Sequence, residues 1–222
     1  DLLVPKVTTN PTGAIVAEAG TIAESDPVLG QVTLGAFKYA ALTQVSQELI
    51  ADSLFDVSGF VMNLGGQAVT RALGADLTNG SGSSKPKGIM QAATSFGTSA
   101  TATTITYANL VEVESTMPVP YKNQDTAWIM SPEAVKVVRL LTDDNSRPLW
   151  EPSLKAGNPD FLLGYPVWVD GHADAATSGK RAVGFFHMPS YAVRLAGGLQ
   201  IDRSDDFAFN TGLATFRFQL RG

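Results

Sequence analysis

Cysteine is absent from the 222-residue chain. That excludes a disulfide framework, a thiolate zinc site and a cysteine nucleophile. Only two histidines occur, His172 and His187, so a His-rich metal centre is excluded too. Charge is sparse: 17 % of residues are charged, with 16 Lys and Arg against 21 Asp and Glu. The net charge of −5 provides no chain-wide basic field, so nucleic-acid binding is not the first reading. Unbroken apolar runs are short, such as Ala182–Phe186, whereas a membrane-spanning helix needs about 20 apolar residues. The start, Asp1-Leu2-Leu3-Val4-Pro5-Lys6, lacks an initiator Met, a basic segment and an apolar segment, and reads as a processed or trimmed end. What the chain does have is 44 % hydrophobic residues, enough to bury a core in one or two domains.

Residues 7–30 read as an extended loop punctuated by Pro11, Gly13, Gly20, Pro27 and Gly30, with no Lys or Arg between Val7 and Phe37. Two readings stand: a flexible surface loop, which composition favours, and an arm that completes its hydrogen bonds on another subunit. Val32, Leu34 and Ala36 can share one face of a strand within 31–45. A long helix is predicted over about 57–78. Phe60, Leu64, Ala68 and Ala72 form one stripe, and Val61, Val69, Leu73 and Leu77 form its neighbour. Gly59, Gly65, Gly66 and Gly74 each weaken this helix by up to ~1 kcal/mol relative to Ala, and can admit a close neighbour. Asn79-Gly80-Ser81-Gly82 ends it, and residues 92–104 read as a linker or hairpin.

Thr106 is placed to cap a helix whose Tyr107, Leu110, Val113 and Met117 share a face, stopped by Pro118. Thr126–Met130 reads as a buried strand. Ser131-Pro132-Glu133 then starts a helix with Ala134, Val135, Val138 and Leu141 on its apolar side. A strand over 166–169 completes an α+β unit spanning about 104–180. Further on, Tyr191, Val193 and Leu195 alternate as a one-sided strand, as do Phe216, Phe218 and Leu220.

Catalytic signatures are missing. Gly80-Ser81-Gly82-Ser83-Ser84-Lys85 matches no phosphate-binding pattern and follows a helix where such patterns need a strand. No G-x-S-x-G elbow occurs. Asp170, His172 and Asp174 have metal-ligand spacing but sit in a Gly- and Ala-rich stretch that reads as a solvated loop. His187 reads as a strand-end packing residue. Asp143-Asp144 and Asp205-Asp206 read as turn residues, and Asn79-Gly80-Ser81 as a glycosylation pattern without a secretory context. No catalytic residue, cofactor site or metal site is assigned, and the chain reads as structural, not enzymatic.

An ordered series of motifs carries a family resemblance. It runs through Ala17-Glu18-Ala19-Gly20, Glu24-Ser25-Asp26, Gly30–Leu34, Val45–Leu49 with Asp52-Ser53, the long helix with Asn79–Gly82, and Lys85–Ile89. Arg147-Pro148-Leu149-Trp150-Glu151-Pro152, Leu162–Val167 and Phe185–Arg194 follow in order. Over about residues 13–222 the chain resembles an HK97-type major capsid protein of a tailed bacteriophage or prophage. The resemblance implies an α+β HK97-like fold. Its parts would be an N-terminal segment and extended loop (1–36), a peripheral β-sheet domain with the spine helix (37–103 and 181–222) and an inserted axial domain (104–180). It also implies hexamers and pentamers in an icosahedral shell around packaged double-stranded DNA, without sequence-specific contact and without a membrane. Portal and scaffold or maturation protease would be partners, the virion the location, and the host cytoplasm the place of assembly. More chain is expected before the loop and after Leu220–Gly222. An encapsulin-like cellular nanocompartment shell is the alternative.

Charge suggests where copies meet. Residues 1–37 hold Asp1, Glu18, Glu24 and Asp26 against Lys6, a net of −3. Residues 181–222 hold Arg181, Arg194, Arg203, Arg217 and Arg221 against Asp202, Asp205 and Asp206, a net of +2. Glu18, Glu24 and Asp26 on one subunit, and Arg194, Arg203 and Arg217 on the next, are therefore the interface candidates. Some relatives in this family cross-link a loop Lys to an Asn of a neighbour. Here Lys6 and Lys38 are expected at the loop's ends, and Asn210 reads as a turn residue, so a non-covalent shell is expected.

Overall fold

The computed structural model describes residues 1–93, 105–143, 145–150, 160–177 and 179–222. The expected linker over 92–104 lies almost wholly outside the described residues, as do Asp144, Glu151 and Pro152. The fold is mixed α+β. Its first feature is a hairpin of β1 (Leu2–Thr9) and β2 (Val28–Leu34), paired antiparallel from Leu2 opposite Leu34 to Thr9 opposite Val28. The expected loop is thus mostly the tip of this hairpin, with strand only at its two ends (7–9 and 28–30), and the ribbon itself begins before Val7. Its strands hide in the sequence because neither face is buried, so no apolar–polar alternation marks them, and Pro5 in β1 is a residue tolerated only at sheet edges. Lys6 consequently sits mid-strand opposite Gly30, not at the hairpin's root. Residues 10–27 form the tip, where the Thr12 amide donates to Ser25 Oγ at 2.9 Å.

The first body is a three-stranded antiparallel sheet, in order β3 (Lys38–Ser46), β9 (Leu213–Arg221), β8 (Gln200–Ala208), with helix α2 (Val57–Asn79) packed on it. A short helix α1 (Gln47–Asp52) links β3 to α2. The single strand read over 31–45 is two strands, interrupted at residues 35–37, so Ala36 belongs to neither. Strand β9 alternates as its sequence predicts: Phe216 and Phe218 are fully buried while Arg217 is exposed. Val69 and Leu73 of α2 pack on Phe216, Phe218 and Leu220, with Val61 and Leu77 alongside. The other stripe of α2 goes the opposite way: Phe60, Leu64, Ala68 and Ala72 face out. Periodicity marked two apolar stripes, but the sheet is narrow enough to cover only one. Gly65 explains how closely helix and sheet approach. A Cβ there would lie 2.2 Å from a ring carbon of Phe218. Asp56 caps α2, accepting the Gly59 amide at 2.9 Å.

The second body is a four-stranded sheet in order β5 (Asp160–Leu162), β6 (Tyr165–Val169), β4 (Thr126–Met130), β7 (Val183–His187). Helix α4 (Tyr107–Thr116) starts at a capping box made by Thr106 and Asn109, and α5 (Pro132–Arg139) starts at the Ser131 cap. Leu110, Ala134, Val135 and Val138 close over Trp128, Met130, Val167 and Phe185. Trp128 is fully buried, and its Nε1 donates to the Leu162 carbonyl at 3.1 Å.

Strand β7 lies beyond residue 180, where the sequence reading begins the C-terminal part of the peripheral domain. Its hydrogen bonds instead pair it antiparallel with β4, because Phe185 fits over Trp128 with ring centroids 4.6 Å apart. The strand read over Tyr191–Leu195 is a loop. It is pinned by Tyr191 Oη, which donates to the Lys87 and Leu77 carbonyls at 2.9 and 3.2 Å. The strand β8, by contrast, was hidden from the sequence: its Asp202-Arg203-Ser204-Asp205-Asp206 is exposed throughout and shows no apolar period.

Candidate assembly surfaces

The residues with catalytic potential are spent on structure. Asp170 Oδ2 accepts a hydrogen bond from Thr78 Oγ1 at 2.5 Å, and Oδ1 accepts the His172 amide at 2.8 Å. The stretch Asp170–Asp174 is therefore a turn closed by its first carboxylate. Among the described residues no three His, Cys, Asp or Glu side chains converge. His187 lies 2.7 Å from Ser190 Oγ through Nδ1, a pairing the sequence reading missed although the spacing of three residues was there to see. Asn123 Nδ2 contacts Nε2 at 3.2 Å. An amide donor at Nε2 leaves the ring proton on Nδ1, so the serine oxygen accepts it. That polarity is opposite to the one that activates a hydroxyl nucleophile. Asp143 Oδ1 accepts the Asn145 and Arg147 amides, both at 2.8 Å, as a turn residue does.

Two tyrosines are perturbed. Burial, followed by the hydrogen bond to Asp76 and that carboxylate's charge, pushes Tyr39 up to about 12. Tyr39 Oη donates to Asp76 Oδ2 at 3.0 Å, and Lys85 pairs with Asp76 Oδ1 at 3.1 Å. Burial alone raises Tyr191. Both hydroxyls are held at the C-terminal half of α2, Tyr39 on Asp76 and Tyr191 on the Leu77 and Lys87 carbonyls.

Exposed apolar groups, in contrast, are abundant and grouped. The β1–β2 hairpin carries Leu2, Leu3, Val7, Val28, Leu29 and Val32 in the open, and its tip carries Ile15 at full exposure and Ile22 at 80 %. A two-stranded ribbon with no buried face is marginal in water on its own. Its root is fixed: Arg194 Nη1 donates to the Leu34 carbonyl at 2.8 Å, and Phe37 and Gly222 exchange backbone hydrogen bonds. The outer stripe of α2 forms a second group, where Phe60 meets Phe55 edge-on at 6.4 Å. On the β4–β7 sheet, Ile129 and Phe186 are covered by Met90 of the short helix α3 (Ile89–Ala92), but Trp168 and Phe161 on the same face are exposed. Phe207, near the end of β8, and Phe209, in the turn that follows, are also exposed.

The charged candidates divide. Glu18, Glu24 and Asp26 are exposed and make no ion pair among the described residues. The arginines are engaged within the subunit. Arg203 pairs with Asp205 at 3.0 Å, Arg217 with Asp202 at 2.8 Å, and Arg194 holds the hairpin root. Asn210 lies in the exposed turn Phe209–Thr211.

The chain exposes 14,623 Å², about half as much again as the roughly 9,700 Å² expected of a compact monomer of 23.4 kDa. The exposed ribbon and the several apolar patches are surfaces of the kind that other chains cover. Comparison with known proteins says what kind of protein this is. The phage capsid family matches residues 2–221, and the chain belongs to that family. It is a structural, non-enzymatic shell subunit and its place is the virion; the encapsulin reading is not favoured. The capsid of a native GTA particle, computed with C5 symmetry, superposes with a TM-score of 0.80 at 22 % identity, over 99 % of this chain and 79 % of that one. The empty GTA particle's capsid gives 0.81 at 23 %, with the same coverage. A Microbacterium phage Oxtober96 chain gives 0.66 at 17 %, over 99 % and 78 %. No curated protein sequence matches the chain.

Proposed function

We propose that copies of this chain assemble into pentamers and hexamers of an icosahedral shell that encloses packaged double-stranded DNA. The β3–β9–β8 body with α2 acts as the peripheral domain, and the β4–β7 body with α4 and α5 acts as the axial domain. The single observation that carries this reading is the coreless hairpin. Its strands alone extend about 25 Å, at ~3.3 Å per residue, with apolar side chains on both faces and nothing of its own subunit beneath them. Such an element becomes stable when it lies on a neighbour. Glu18, Glu24 and Asp26 then come to rest against the basic residues Arg203 and Arg217. Those arginines exchange exposed intrasubunit pairs, each worth about 0–1 kcal/mol, for intersubunit ones. Charge therefore sets register and encounter, and apolar burial supplies strength. A portal and a scaffold or maturation protease are the expected partners, and assembly takes place in the host cytoplasm.

The test is the triple substitution Ile15→Ser, Ile22→Ser and Leu29→Ser. These side chains are exposed in the subunit, so the variant chain should fold and melt as the parent does, yet form no particles. Normal particles from this variant would remove the hairpin from the assembly contact.

A further inference from the structure

The two main apolar cores share no residue. One joins Val69 and Leu73 of α2 to Phe216 and Phe218 of β9; the other joins Trp128 and Met130 of β4 to α4 and α5. What links the two bodies is concentrated at one end of α2 and is largely polar. Thr78, in the last turn of α2, is 7 % exposed and donates through Oγ1 to Asp170 Oδ2. Asp170 is itself anchored to the second body, since its amide donates to the Met130 carbonyl at 2.9 Å. Next along α2, Asn79 Nδ2 donates to the His172 carbonyl at 3.1 Å, and Gln91 of α3 reaches Asn79 Oδ1 at 3.4 Å. Apolar support at this joint comes from the small cluster of Met90, Ala173 and Phe186 with its neighbours.

The electrostatics of this joint are unusual. The last turn of α2 holds no basic residue. A carboxylate beside a helix C-terminus faces the negative end of the helix dipole, which is unfavourable. Asp170 therefore stays against α2 because of one charge-assisted hydrogen bond and the turn that aims it, and not through attraction to the helix. A contact of that kind has a defined direction and is breakable, unlike a packed apolar interface.

We infer that the Thr78–Asp170 hydrogen bond is a latch that sets the orientation of the β4–β7 body relative to α2. Within the shell, where this inference rests on the proposed function, that orientation fixes how neighbouring subunits tilt and hence the curvature of the particle. Thr78 and Asp170 act here as positioning residues and touch no ligand.

The test is hydrogen exchange on the full chain carrying Thr78→Val, which keeps the shape and removes the donor. Amides of His172 and Ala173, the first donating to Asp170 Oδ1 and the second to its carbonyl, should exchange roughly tenfold faster or more. Those of Phe216–Leu220 in β9 should not change. Thr78→Ser, which keeps the hydroxyl, should restore the parent rates. Unchanged exchange at His172 would overturn the latch. So would equal acceleration through β9, which would signify general destabilisation. For the particle, Thr78→Val should broaden the distribution of diameters seen by electron microscopy, and shells of unaltered, uniform diameter would remove the role in curvature. Failure of the parent chain to form shells would instead refute the proposed function and leave the exchange result standing.

Discussion

Two glycines in one helix should respond oppositely to the same substitution. In an unconstrained helix interior Gly→Ala stabilises by about 1 kcal/mol, because alanine loses less backbone entropy on folding. At Gly74 that gain should appear: the new Cβ would sit 3.9 Å from the His172 ring, an ordinary van der Waals contact. At Gly65 the methyl would stand 2.2 Å from Phe218 Cε2 and 2.3 Å from Cζ. Phe218 is fully buried against Val69, Leu73 and Phe216, so its ring has no free volume to enter. Overpacking of this kind costs ~1–3 kcal/mol, occasionally more, and outweighs the propensity gain. Gly65→Ala should therefore destabilise the unassembled chain by about 1–2 kcal/mol, and Gly74→Ala should stabilise it by about 0.5–1 kcal/mol. At roughly 2–4 °C per kcal/mol for a chain of this size, the two melting temperatures should differ by about 3–12 °C. Thermal unfolding followed by circular dichroism, with urea titration for the free energies, measures this directly. Shifts of the same sign and size would refute the close packing of α2 on β9.

Tyr39, pushed up to about 12, should tie stability to alkaline pH. A tyrosine whose folded pKa exceeds its unfolded value of 10 contributes fully below pH 10 and loses that contribution as pH rises through 12. Titration of tyrosinate absorbance should show late-titrating groups, since Tyr191 is raised too, and Tyr39→Phe should remove one of them together with that part of the alkaline slope. Reversing Glu18 and Glu24 to Lys should slow assembly at low salt and matter little at high salt, because exposed pairs are screened; light-scattering kinetics that are unchanged at every ionic strength would refute their part in encounter. Lys6 lies mid-strand in the hairpin, well away from its tip, and Asn210 lies in an exposed turn. Mature particles boiled in denaturant should therefore run as one monomer band, and a ladder of covalent multimers would contradict a non-covalent shell.

Much of this architecture is legible where burial leaves a period. Ser131-Pro132-Glu133, the Thr106 cap, and the one-sided run Phe216, Phe218, Leu220 each state a local structure that the fold keeps. Legibility fails where an element is not covered by its own chain. Strands β1, β2 and β8 are exposed on nearly every residue, so no alternation separates them from loop. The outer stripe of α2 shows the reverse problem. Phe60 and Leu64 carry a period that one subunit does not use. Tyr191–Leu195 alternates as a strand does, but the Tyr191 hydroxyl donates to the Leu77 and Lys87 carbonyls near the end of α2, a long-range choice invisible locally. Of the candidate interface residues, the exposure of Glu18, Glu24 and Asp26 is legible in the Gly- and Pro-punctuated run around them. The engagement of Arg194 with Leu34, Arg203 with Asp205 and Arg217 with Asp202 depends on tertiary placement and cross-strand register. For the same reason Asp170 reads in the sequence as a loop acid and not as the partner of Thr78.

Cryo-electron microscopy of particles assembled from the full-length protein, expressed with its genomic neighbours, tests the central claim most directly. The account predicts closed shells in which residues 2–34 of each copy lie across an adjacent subunit, with Ile15, Ile22 and Leu29 buried between chains. Shells in which each hairpin folds back on its own subunit, or a chain that stays monomeric, would contradict it.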